Sequence, residues 1–114
     1  MRPAPQFSAE LNFHFREHGQ DRRHWFMFGE DLRRLLPMKM EGVDGLNTVG
    51  MWVQEAGTFR AGETVLVECV VLAPEVFQLV VRPGVKFELW DAGFFAEGVV
   101  LERFEAGWSG ATAP

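Results

Sequence analysis

Apolar and polar residues alternate with a period of two along most of this chain. In FSAELNFHF, residues 7 to 15, Phe7, Ala9, Leu11, Phe13 and Phe15 share one phase, and Ser8, Glu10, Asn12 and His14 share the other. A half-buried β-strand produces that division, because successive side chains point to opposite faces. A polar turn around Gly19 leads to HWFMF, 24–28, a second strand. NTVGMWVQE, 47–55, reads as a strand with Gly50 as a bulge or close-packing point. AGTFRAGE is a hairpin-like connection around Gly57 and Gly62. TVLVECVVLA, 64–73, has the highest β-branched content, and Pro74 ends it. VFQLVVR (76–82), VKFELWD (85–91) and FFAEGVVLERF (94–104) complete the series of strands.

One segment breaks the rhythm. In EDLRRLLPMKMEG, Leu32, Leu35 and Leu36 have helical spacing, but Pro37 stops a helix after a turn or two. A short helical turn or irregular loop, then a weak strand at Met38–Met40, is the expectation. Residues 1–6 and 106–114, the latter ending in GWSGATAP, read as tails around a domain at 7–105. Short strands with turn signals at close intervals predict an all-β fold, a single antiparallel barrel of six strands filled by side chains.

Composition narrows the function. The chain has 114 residues, 47% of them apolar, which suits one domain with its own core. No apolar run approaches the roughly 20 residues of a membrane span. The beginning, MRPAPQFSAE, lacks the apolar stretch of a secretory signal. The single cysteine, Cys69, fits a reducing compartment, so a cytoplasmic protein is expected. A net charge of −5 works against general binding to nucleic acid. No GxxxxGK[ST] pattern is present, so nucleotide binding is not expected.

Three segments, taken in order, resemble a known domain. AELNFHFREHGQDRR (9–23) begins with Ala-Glu, alternates, and ends in an Arg-Glu-x-Gly turn. FRAGETVLVECVVL (59–72) is a turn followed by a β-branched strand, and GVKFELWDAGFFAEGVV (84–100) is a terminal hairpin. Over residues 7 to 104 the chain resembles the third, C-terminal β-barrel domain of elongation factor Tu. Gly84, Phe87, Gly93, Gly98, Val99 and Val100 match that family's last hairpin in kind, with one residue fewer in the turn. The resemblance implies the same barrel and a place in translation. The departures bear on function. No GTPase domain is expected within these 114 residues, and FGEDLRRLLPMKM replaces the family's partner-binding strand. Phe94-Phe95 replaces an Arg-Thr pair. Asp91 stands where the family has a Glu near the T arm of aminoacyl-tRNA.

Catalytic and metal chemistry find little support. His14, His18 and His24 lie on a strand, a turn and a strand, so their spacing does not define a metal site. Cys69 falls on an inward phase, where a thiolate is disfavoured. No nucleophile elbow accompanies Ser8 or Ser109. Glu63 with Glu68, or Glu97 with Glu102, read as solvated carboxylates rather than an acid–base pair. No cofactor, metal or catalytic residue is therefore expected. Arg22, Arg23, Arg33 and Arg34 are candidates for RNA phosphates, but Glu17, Asp21, Glu30 and Asp31 sit among them. The aromatics point elsewhere. Trp90 is out of phase with Val85, Phe87 and Leu89, and Trp52 with Met51 and Val53. Trp90, Asp91, Gly93, Phe94 and Phe95 form a hairpin tip with an unusual apolar load, which marks an interaction site. The expectation is a non-catalytic module that binds a protein partner or a second copy there. The alternatives are a translation-associated RNA binder of weak tRNA affinity and an immunity or decoy protein that mimics a translation factor.

Overall fold

The computed structural model describes residues 4–16, 24–29 and 33–109. Among these residues eight strands follow one another: β1 (Phe7–Phe13), β2 (His24–Met27), β3 (Arg34–Met40), β4 (Asn47–Trp52), β5 (Gly57–Arg60), β6 (Thr64–Val71), β7 (Lys86–Trp90) and β8 (Phe94–Arg103). Two short helices, α1 (Pro74–Phe77) and α2 (Glu105–Ser109), lie before β7 and after β8. Six strands close into a barrel in the order β1-β6-β4-β3-β7-β8, with every neighbouring pair antiparallel. The fold is all-β, as the alternation predicts. β2 and β5 form a separate two-stranded sheet.

The inward phases fill the barrel. Phe7, Leu11 and Phe13 of β1, Met38 and Met40 of β3, and Phe87 and Leu89 of β7 are all buried. Cys69 lies inward on β6. Burial, and to a smaller extent the nearby Glu68 carboxylate, pushes its thiol well above the ordinary range. That keeps it protonated and unreactive. Gly98 sits opposite Phe87, whose ring occupies the space a Cβ would take. The missing side chain is what lets that ring lie flat against β8.

Three expectations are corrected. Residues 34–40 are a strand, not a helical turn, because Leu36, Met38 and Met40 alternate inward against the core. Pro37 is tolerated for a specific reason. The Thr48 carbonyl accepts the Leu72 N–H, so the polar groups of Thr48 face β6. Its partner Pro37 must then turn its nitrogen toward β7. There the ladder starts only at Met38↔Leu89, and the ring removes the donor that would carry it on to Trp90.

Residues 76–82 are not a strand. Pro74 opens the turn α1, Gln78 donates its N–H to the Pro74 carbonyl, and Val81 donates to Phe77. The four-residue spacing buries Phe77 and Val81 together and leaves Val76 and Leu79 outside. The expected tails also carry core residues. Trp108 in α2 is 2% exposed, and its indole N–H donates to the Gln6 carbonyl at 3.0 Å. Gln6 is itself buried, and its Oε1 accepts the Val71 N–H at 2.7 Å. Arg103 lies over the Trp108 ring and donates to the carbonyls of Gln78 and Val81. Gln6, Arg103 and Trp108 thus clasp one end of the barrel.

Candidate docking face

The β7–β8 hairpin turns through Asp91, Ala92 and Gly93. The Asp91 N–H donates to the Gly93 carbonyl at 2.9 Å, and both Ala92 (φ 55°) and Gly93 (φ 132°) have positive φ. Trp90 and Phe94 face each other across the turn. Trp90 is 37% exposed and Phe94 is half-buried, so these two remain at the surface.

Phe95 does not. It is 0% exposed and stacks on Trp25 of β2 with ring centroids 4.1 Å apart. Phe13 and Phe15 lie on its other sides. The cause is a β-bulge. Leu89 pairs with Ala96 and Trp90 with Phe94, so Phe95 is the extra residue. A bulge suspends alternation, which lets Phe95 and Ala96 both be buried. The Phe95 carbonyl also accepts the N–H groups of His14 and Phe15. As a residue for partner binding, Phe95 is corrected to a core residue.

The arginines divide. Arg22 and Arg23, like His18, lie outside the described residues. The Arg34 guanidinium sits 3.9 Å over the Trp25 ring and donates to the Phe26 carbonyl at 3.0 Å. That holds the β2–β5 sheet against the barrel. Arg33 is exposed. Its stem crosses the hollow left by Gly50, with Cδ 2.7 Å from where a Cβ would stand, and Val70 Cγ1 lies 3.2 Å from the same point. Gly50 is therefore a close-packing point, as its place in the strand suggests.

The outer surface has two characters. Across β1, β8, β7 and the β3–β4 loop runs a groove of about 770 Å³, bordered by Glu10, Glu41, Asp44, Glu88 and Glu97 against Lys39 and Lys86. Glu88 and Glu97 stand directly opposite each other, with Arg16 3.8 Å from Glu97. Among the described residues no group of acidic, histidine or cysteine side chains is arranged to hold a metal ion.

Where β7 ends at Trp90, and across the adjoining parts of β3, β4 and β6, lies an apolar strip, with Arg33 and Glu68 in the same outward phase. Leu35 pairs with Gly50, and Gly50 with Val70. Pro37 pairs with Thr48, beside which lies Leu72. Trp90 stands one residue past the last β3–β7 pair, on the Pro37 side. Leu35 is 53% and Leu72 55% exposed. The hydrophobic pattern carried a signal for this strip. Once 34–40 is taken as a strand, Leu35 is out of phase with Leu36 and Met38, just as Trp90 is with its own neighbours. Trp52 has the same outward phase but is fully buried and stands apart from the main core.

These features define a closed antiparallel barrel with a charged groove on one part of its outer surface and an apolar strip on another. No family model matches the chain, and none of the curated proteins matches it. No described helix is long and apolar enough to cross a membrane.

Proposed function

We propose that this protein is a non-catalytic binding module that meets a protein partner through the face built by Leu35, Pro37, Thr48, Leu72 and Trp90. The observation that carries the reading is the exposure of two leucines and a tryptophan on adjoining strands of a barrel whose charged groove lies on another part of its outer surface. Contiguous apolar surface on a protein of net charge −5 marks an interaction site rather than a solvated face. Of the expected hairpin-tip residues, Trp90 lies at the edge of this face with Phe94 across the turn from it. The resemblance to the C-terminal barrel of elongation factor Tu supports the same reading. In that protein the barrel packs against neighbouring domains, and a surface of that kind suits a cytoplasmic module that docks on another protein.

RNA binding has less support. Of the candidate arginines among the described residues, Arg34 is engaged within the fold, and Arg33 alone beside leucines is a poor match for a phosphate backbone.

The test is capture from nuclease-treated native lysate by the wild type and by a Leu35→Ser, Leu72→Ser double variant, with sedimentation for self-association. Both leucines are outside the core, so each change should alter stability by less than about 0.5 kcal/mol. The wild type should retain a protein that the double variant loses. Equal capture by both, or capture abolished by nuclease, would sink the reading.

A further inference from the structure

Arg33 stands in the same outward phase as Leu35, and its position says what kind of segment the apolar strip accepts. An exposed arginine at a strand entrance would ordinarily extend into water. Here the stem lies along the strip instead, because Gly50 leaves a hollow between Leu35 and Val70 that the Arg33 methylenes fill. The stem is thereby held against one end of the strip, beside Leu35 and Val70, with Glu68 of β6 two strands away in the outward phase. Among the described residues no carboxylate pairs with it. Its neighbour Arg34 behaves differently, being committed to Trp25 and the Phe26 carbonyl.

We propose that the strip receives a short extended protein segment carrying an aspartate or glutamate between apolar side chains, with that carboxylate meeting the Arg33 guanidinium. The inference rests on the docking reading above and gives the partner a chemistry. Arginine and carboxylate join through paired, charge-assisted hydrogen bonds, and the flanking apolar side chains of the segment settle on the strip beside them. The size fits a linear segment. Three interstrand steps from β7 to β6 span about 14 Å, the length of roughly four extended residues.

A second copy of this chain fits poorly. The outward row of β3 reads Arg33, Leu35, Pro37, Lys39. Two copies packed antiparallel on this row set Arg33 against Lys39, and packed parallel they set Arg33 against Arg33. Cation faces cation either way, which disfavours the pairing.

The experiment is selection of a random-peptide display library on the immobilised wild type and on Arg33→Glu, with binding of the selected peptides then measured in solution. The wild type should enrich sequences with Asp or Glu flanked by apolar residues. Arg33→Glu should weaken those peptides by about tenfold or more and enrich Lys or Arg in their place. The Leu35→Ser, Leu72→Ser variant should bind neither set. If the leucine variant loses binding but Arg33→Glu selects the same sequences as the wild type, the acidic segment is wrong and the docking face stands. If no selected peptide depends on the leucines, both readings fall. Two further results overturn the proposal: a concentration-dependent dimer abolished by Leu35→Ser, or homopolymeric RNA bound in an Arg33-dependent way more tightly than any peptide.

Discussion

The two outer faces of the barrel are made from neighbouring strands, and β7 belongs to both. On the groove side its outward residues are Lys86 and Glu88, facing Val99 and Glu97 of β8. On the strip side its last outward residue is Trp90, beside Pro37 of β3. The inner phases of all these strands obey one rule, because each must fill the same core. The outer phases obey no common rule. The interior of such a barrel specifies the fold, whereas its exterior is free to carry function. Departures from polar character on the outside are therefore the informative positions.

Within one hairpin, an inner and an outer aromatic residue should respond very differently to truncation. Phe95→Ala removes a ring stacked on Trp25 and packed by Phe13 and Phe15. It should cost about 3–5 kcal/mol of stability, as truncation of a buried aromatic does. Trp90→Ser, five positions earlier on the exposed side, should cost less than about 1 kcal/mol. Urea denaturation of the two variants measures both. Similar losses would mean that Trp90 is a structural residue and no part of a docking face.

A pair of glycines gives a smaller contrast. At Gly98 a methyl group collides with the Phe87 ring inside the barrel. Gly98→Ala should therefore destabilise by about 1–3 kcal/mol through overpacking. At Gly50 the nearest atom is Cδ of Arg33, on a flexible side chain that can swing aside. Gly50→Ala should change the denaturation midpoint little, by less than about 1 kcal/mol. It should nevertheless impair binding of acidic peptides, since it lifts Arg33 out of its hollow. A large stability loss at Gly50 would show that Val70, at 3.2 Å, cannot yield.

The barrel was legible because β1 and β7 alternate cleanly, β6 is rich in β-branched residues, and the turns carry glycine where φ is positive, as at Gly62 and Gly84. What stayed hidden was decided by tertiary contacts. Leu32, Leu35 and Leu36 imitate helical spacing, and only pairing with β4 reveals that 34–40 is extended. Val76 to Arg82 has strand-like composition, but burying Phe77 and Val81 together requires a turn of helix. The tail at Trp108 is held by a hydrogen bond to Gln6 from the far end of the sequence, a contact no local pattern encodes. At the hairpin tip, alternation placed Trp90 correctly and misplaced Phe95, because a bulge leaves no mark in a hydrophobic pattern when both residues are phenylalanine.

The placement of the tryptophans also equips the molecule with its own optical gauge. The chain has four tryptophans and no tyrosine, so its near-ultraviolet emission comes from indole alone. Trp25, Trp52 and Trp108 are shielded from solvent, while Trp90, at the edge of the strip, is not. A dissolved quencher such as iodide should reach chiefly that one ring. A segment settling over the strip would move its emission to shorter wavelength, with no label attached to either molecule.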